Sequence, residues 1–358
     1  MFGGSRGDEI RSPGAASLLS VVRVIRLIDV ANDHDMRQIF EVGVAAGSHD
    51  QQWFSPISYE SWLVRMRRPD PEDAQELYGF FDEAGRCRGS SLLFIPLEDN
   101  TDKVYSVVDV APVHRRQGIG RALVERNVQR ARALGRPMLF AETLVPGVAD
   151  PRHPFVKFAR ATGFSPGWDE VARHLPLPIP QHRLDELAAA GAGVAGGDYD
   201  VEVFVDGVPE RHLAGLAELL SLLAVDAPSG DIDFEAEAIT PDRLRRTAAR
   251  EREQGRTRLS ALAIHRSTGV VAAQSDLIVD PGVHHASQLA TYVHREHRGR
   301  HLGMAVKVAN LQRLQRIRPD ISFVRTMNAE TNDHMISINV ELGFEVVETL
   351  TEWTIDVG

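Results

Sequence analysis

The alternation of apolar and polar positions along this chain writes one order of elements twice. Short apolar or alternating runs predict strands at Val21–Ile28, Glu76–Asp82, Ser90–Ile95, Val104–Val110 and Met138–Thr143. Apolar positions at three- and four-residue spacing predict helices from the Asp33 region, after the aromatic segment Trp53–Trp62, over Ile119–Leu134, and in a stretch ending at Thr162. The pattern restarts at Tyr199–Val205. Helices follow near Arg211–Leu223 and Thr240–Glu253, the second with Pro241 in its first turn. Strands near Leu259–His265, Val270–Val279 and Ser287–Val293 come next, and then Leu302–Ile317, Ser322–Thr326 and Asp333–Leu342. Between the two series, Pro176, Pro178 and Pro180 and the Ala/Gly-rich run Ala188–Gly197 read as a linker. This divides the chain into a tail at 1–20, a first domain at 21–175, a linker at 176–198 and a second domain at 199–358.

A chain of 358 residues is long enough for two domains, each with its own core. The composition, 43% hydrophobic and 25% charged, is that of a globular protein, and no apolar run reaches membrane-spanning length. The run Ala15–Ile28 is broken by Arg23 and Arg26 and reads as a first strand. A net charge of −10 argues against nucleic acid as a partner and for neutral or cationic ones. The single Cys87 excludes an internal disulfide, and a cytoplasmic setting fits. His284, His285, His294, His297 and His301 lack the spacing of a zinc site, so no metal is expected.

Two turns stand out. His114-Arg115-Arg116-Gln117-Gly118-Ile119-Gly120-Arg121 and His297-Arg298-Gly299-Arg300-His301-Leu302-Gly303-Met304 each follow a strand and open a helix. A tight basic turn at a helix N-terminus points backbone N–H groups and the positive end of the helix dipole at one place, a cradle for phosphate. No Gly-Lys-Ser/Thr follows, which excludes a P-loop, and the three-glycine dinucleotide pattern is absent. Each half closes with a helix running into Gly-Phe, Gly163-Phe164 and Gly343-Phe344. Two landmarks in one order, 183 residues apart at the loops and 180 at Gly-Phe, indicate a duplicated domain.

Read as Arg-x-x-Gly-x-Gly, residues 115–120 resemble the coenzyme A loop of the GNAT N-acetyltransferase superfamily, and the duplication resembles its tandem two-domain type. Examples of that type are typified by mycothiol synthase and by tandem proteins of antibiotic-producing bacteria. The resemblance implies an α/β (α+β) fold of two GNAT domains, each a mixed, mostly antiparallel sheet flanked by helices. It implies acetyl-CoA as the acyl donor, a small amine as acceptor, and neither nucleic acid nor membrane as partner. Monomer and homodimer are both open.

Carried onto this chain, the cofactor-binding positions are Val110, Arg115, Arg116, Gln117, Gly118, Ile119, Gly120 and Arg121 in the first half. In the second they are Val293, Arg298, Gly299, Arg300, His301, Leu302, Gly303 and Asn332. Val110 and Val293 would act through the backbone N–H, polarising the thioester carbonyl. His301 stands where Gly118 does and forfeits the conformational freedom of Gly. The Tyr that the superfamily uses to protonate the departing thiolate is replaced by Ala159 and Asn339, leaving Tyr292 or a nearby His as substitutes. Asn332 reads equally as a helix N-cap. Asp226, Asp231, Asp233 and Glu235, on the segment joining the first two helices of the second half, are candidates to hold a cationic amine. With Asn332, they incline the catalytic assignment to the second half; the intact first loop supports the first. The contrasting reading is an acyl-CoA-binding sensor or scaffold without catalysis.

Overall fold

Capping residues and apolar periodicity set the same series of elements in both halves. In chain order the first half runs β1 (Val24–Leu27), α1 (Asp33–Asp50), α2 (Tyr59–Arg67), β2 (Asp73–Phe81), β3 (Cys87–Pro96), β4 (Lys103–Val110), α3 (Ile119–Ala133), β5 (Met138–Pro146), α4 (Pro154–Ala161) and β6 (Ser165–Pro176). After α5 (Gln181–Ala195) the order repeats as β7 (Tyr199–Val205), α6 (Glu210–Asp226), α7 (Pro241–Glu253), β8 (Thr257–His265), β9 (Val271–Val279), β10 (His285–Val293), α8 (Leu302–Ile317), β11 (Phe323–Ala329), α9 (Asp333–Leu342) and β12 (Glu345–Asp356). This computed structural model describes residues 24–147, 150–195, 197–226, 239–329 and 331–358. Helix starts use the expected chemistry. Asn32 accepts from the backbone of His34 and Asp35 at the head of α1, and Thr240 from Arg243 at the head of α7.

The halves differ from two separate sheets. Among the described residues all twelve strands join one sheet in the order β1-β2-β3-β4-β5-β12-β6-β11-β10-β9-β8-β7. The last strand of each half has crossed into the other: β12 pairs antiparallel with β5, β6 pairs antiparallel with β11, and β6 and β12 pair with each other at the centre. Each half therefore completes its core with borrowed side chains. Trp353 of β12, 1% exposed, packs with Val104, Leu139, Val145, Val156 and Phe164 of the first half. Its indole N–H donates to Thr143 Oγ1 at 2.8 Å. Conversely Leu175 of β6 lies in the second-half core with Leu311, Val324 and Phe344.

The expected linker is also more ordered than its composition suggests. Residues 181–195 form α5, because Ala is the strongest helix former and Leu184 and Leu187 give the helix a face to bury against α8. Ion pairs tie the halves as well. Arg243 and Arg246 of α7 reach Glu72 at 2.7 and 3.0 Å, Arg250 pairs with Asp70, and Arg65 of α2 pairs with Asp280.

Because Trp353 seats the exchanged strand in the core of the other half, Trp353→Ala is expected to lower the unfolding free energy by about 3–5 kcal/mol. Far-UV circular dichroism in urea should still show a single transition at lower urea. Separate transitions for two halves would contradict the shared core.

Candidate active site in the first half

The site begins where two strands part. β4 and β5 run parallel only from Lys103–Met138 to Ser106–Ala141. Beyond that β4 stays on β3 as far as the Val110–Gly89 pair, while β5 follows β12. A cleft of about 700 Å³ opens between them, floored by Phe140 and Val124 and reaching from Gly47 and Asp50 of α1 to Phe158 of α4. The Ala111 N–H donates to Arg88 O at 3.1 Å. The alternation of an antiparallel ladder then turns the Val110 N–H away from β3, to the open side. The second half repeats this local arrangement: β10 and β11 pair only from His285–Phe323 to Ser287–Arg325, and His294 N–H donates to Ala272 O at 2.8 Å.

Both loops adopt one backbone course. Arg115 Nε donates to Val110 O at 3.1 Å, and Arg298 Nε to Val293 O at 3.2 Å. Each loop needs two left-handed residues, and each supplies one Gly and one side-chain-bearing residue. In the first these are Arg116 (φ 62°) and Gly118 (φ 82°); in the second, Gly299 (φ 75°) and His301 (φ 57°). His301 takes the same left-handed conformation as Gly118, at the strain cost of a side chain there. Above Gly118 nothing lies within 4 Å of where a Cβ would stand, which leaves the N-terminus of α3 open to a phosphate. Gly120 differs, since a Cβ there would meet Phe158 Cζ at 2.9 Å, so its role is close packing of α3 on α4. Ile119 is core, 3% exposed, and Arg121 donates to Ala161 O at 2.8 Å. Arg115 and Arg116 line the cleft, Arg115 also pairing with Asp50 at 2.8 Å.

Opposite the loop the cleft is acidic. Glu142 of β5 sits directly across from Glu352 of β12, and Glu170 of β6 pairs with Leu350, which shares a face with Glu352. Glu142 looks into the open cleft, whereas Glu352 is 5% exposed. Burial, followed by the charges of Glu142 and Glu170, pushes the Glu352 carboxyl up to about 8. Burial likewise raises Glu142 and Glu170. On β4, Asp109 lies 3.7 Å from where a Cβ on Gly43 of α1 would be. Burial, aided by Asp50 and opposed by Arg115, lifts it to about 6. Arg325 also lines the cleft and is engaged at 2.9 Å with Glu348. The register places these carboxylates on the face of the sheet that carries α1, the side away from α3 and its loop.

Sequence reasoning missed this cluster, because its members are brought together only by the strand exchange. The available signal was a lone charge inside an apolar strand, Glu142 in Met138–Thr143 and Glu352 beside Trp353.

The second-half candidates do not assemble in the same way. Tyr292 is 6% exposed and packs against Leu216 and Leu219 of α6. Arg298 lies 3.5 Å from its hydroxyl. Asn339 is fully buried between Lys307 and Asn328, accepting from the first and donating to the second, each at 2.7 Å. Asn332 caps α9, accepting from Met335 N–H at 3.2 Å. Arg300 donates to Tyr199 at 3.0 Å, Leu302 is core, and Gly303 packs against Ile338. Asp226 ends α6, and Asp231, Asp233 and Glu235 lie outside the described residues. The first half holds a cleft that reaches its loop at Arg115, Arg116, Ile119 and Gly120.

Residues 49–164 match the model of the acetyltransferase (GNAT) family, a span containing the first loop, β4, β5 and α4. No curated protein matches the sequence. Among solved structures, a tandem GNAT protein from the clavulanic acid biosynthesis pathway is similar over 94% of this chain and 99% of its own, at 23% identity and a TM-score of 0.77. A GCN5-related N-acetyltransferase from Sphaerobacter thermophilus is similar over 94% and 96%, at 15% identity and a TM-score of 0.62. The chain thus has the fold of the tandem GNAT proteins, and residues 49–164 within it match the acetyltransferase (GNAT) family model.

Proposed function

We propose that this protein is an acyl-CoA-dependent N-acyltransferase whose first half passes an acetyl group directly to the amine of a small cationic molecule. The observation that carries the reading is a cleft with an open phosphate cradle at one end and, at the other, the paired carboxyls of Glu142 and Glu352, the second of them buried. The cofactor, when bound, supplies the acyl group as a thioester. The N-terminus of α3 with Arg116 and Gly118 would hold its pyrophosphate, and the turned-out N–H of Val110 would polarise the carbonyl. The carboxylates of Glu142 and Glu170 would hold an ammonium by charge. A carboxyl whose affinity for protons is raised suits a proton acceptor near neutrality, and Glu352 and Asp109 are the candidates. The ammonium would lose one proton to such a carboxylate before attack; as the N–C bond formed and the C–S bond broke, the second proton would pass to the departing thiolate.

A covalent acyl-enzyme has little support. Cys87, 8% exposed, donates to Gly89 O at 3.2 Å, and burial pushes its thiol up to about 11. The second reading, a silent acyl-CoA sensor, is favoured by Ala159, which leaves no titratable group where the superfamily places its acid.

Incubation with acetyl-CoA and a panel of amines, followed by thiol release, separates the two: an enzyme releases coenzyme A with a cationic amine, and a sensor binds the cofactor without turnover. Gly118→Trp should lower coenzyme A affinity at least tenfold, about 1.4 kcal/mol, in calorimetry, and unchanged affinity in the folded variant would remove the cofactor assignment. Cys87→Ala should leave turnover unchanged and initial-rate lines intersecting; parallel lines with a trapped acyl group would argue for a covalent route.

The acidic cluster predicts its own pH signature. Folded Glu352 keeps its proton to about pH 8, whereas an unfolded Glu loses it near ~4.3. Its contribution to stability is therefore complete at acid pH and falls as pH rises through that window. Glu352→Gln, uncharged throughout, should flatten this fall and raise the thermal midpoint relative to wild type more at pH 8.5 than at pH 5. The same variant, which has no proton-accepting carboxyl, should lower kcat. An equal shift of midpoint at both pH values would show that the carboxyl is not held protonated.

A further inference from the structure

The two halves share a loop course but differ in the side chains behind it. Counting from the loop arginines, Lys307 of α8 stands where Val124 stands in α3; counting from Gly-Phe, Asn339 stands where Ala159 does. Strand register places Asn328 of β11 where β5 has Thr143, because Asn328 pairs with Val171 and Thr143 with Thr351, equivalent positions of the exchanged strands. Val124, Ala159 and Thr143 line the first-half cleft. Their counterparts bond to one another: Lys307 Nζ donates to Asn339 Oδ1 at 2.7 Å, and Asn339 Nδ2 donates to Asn328 Oδ1 at 2.7 Å. Lys307 is 2% exposed and Asn339 0%. The ammonium lies 5.5 Å from the ring of Phe344, whose first-half equivalent, Phe164, also lines the cleft.

This is a large substitution in one place. A four-carbon stem and an amine replace a Val, and an amide replaces a methyl. Burying an amine carries a desolvation penalty that a core has no reason to accept when an apolar residue would fill the space. Burial also pushes the Lys307 amine down to about 7.

We propose that the chain holds one acyl-CoA, in the first half, and that the Lys307–Asn339–Asn328 network fills from within the channel that would admit the cofactor's arm in the second. The inference rests on the reading of the first-half cleft as the acyl-CoA site. It explains how the second loop keeps its backbone course while the space behind it is occupied. It also makes Lys307 the residue that decides how many cofactors bind.

Native mass spectrometry and calorimetry with coenzyme A test this by stoichiometry. Wild type should bind one equivalent, and Gly118→Trp should bind none. The triple variant Lys307→Val/Asn328→Thr/Asn339→Ala installs the first-half residues and removes every partner of the network together, so no buried polar group is left orphaned. It should bind two equivalents. Two equivalents on wild type, or one equivalent retained by Gly118→Trp, would overturn the proposal whether or not the triple variant folds. A triple variant with a cooperative melt and one equivalent would overturn the role of Lys307. No binding by wild type would instead sink the acyl-CoA reading of the first half.

Discussion

The exchange of the terminal strands is the constraint on which the rest of this structure depends. β5 has no edge partner from its own half, and β12 supplies one over nine paired positions from Met138 to Pro146. A sheet edge left bare exposes unpaired N–H and C=O groups and the apolar face beneath them, so each half needs the other to complete its core. The exchange also decides the chemistry of the cleft. Of the carboxylates that face one another there, Glu142 and Glu170 come from the first half and Glu352 from the second. The acidic side of the cleft is a composite of both halves, though the loop and the splayed strands belong to one.

Charge burial is what distinguishes the two clefts. In the first, carboxylates lie against open space, and their proton affinity rises because desolvation and mutual repulsion disfavour the ionised form. In the second, a buried amine is matched by an amide. Duplication supplied two equivalent frames, and at three equivalent positions one carries Val124, Thr143 and Ala159 along its cleft where the other carries the bonded Lys307, Asn328 and Asn339.

The loops show how a backbone course outlasts its residues. Both place two residues in the left-handed region, but Gly occupies the second of these positions in one loop and the first in the other. The left-handed conformation costs a residue with a Cβ roughly 1–2 kcal/mol, which Arg116 and His301 each bear because the flanking strand and helix over-determine the turn. Arg115 and Arg298 contribute by tying the turn back to the end of the preceding strand.

Much of the fold was legible from local pattern alone. The order of strands and helices, the duplication, the basic turn before each long helix and the Gly-Phe landmarks follow from periodicity and from turn chemistry, which are properties of short segments. Val110, Arg115, Arg116 and Gly118 could be named because that turn resembles a coenzyme A loop. The site beyond the loop was not legible. Glu142, Glu170 and Glu352 are far apart in sequence and meet only through β-pairing, which no local window encodes. Lys307 reads as an ordinary helix residue and Asn339 only as the replacement for an absent Tyr; their mutual bond depends on how α8 and α9 pack. The sequence by itself determined which elements form and where the turn lies, because those depend on neighbours within a few residues. Tertiary structure alone decided which carboxylates face the first-half cleft, because that depends on strands exchanged across the whole chain.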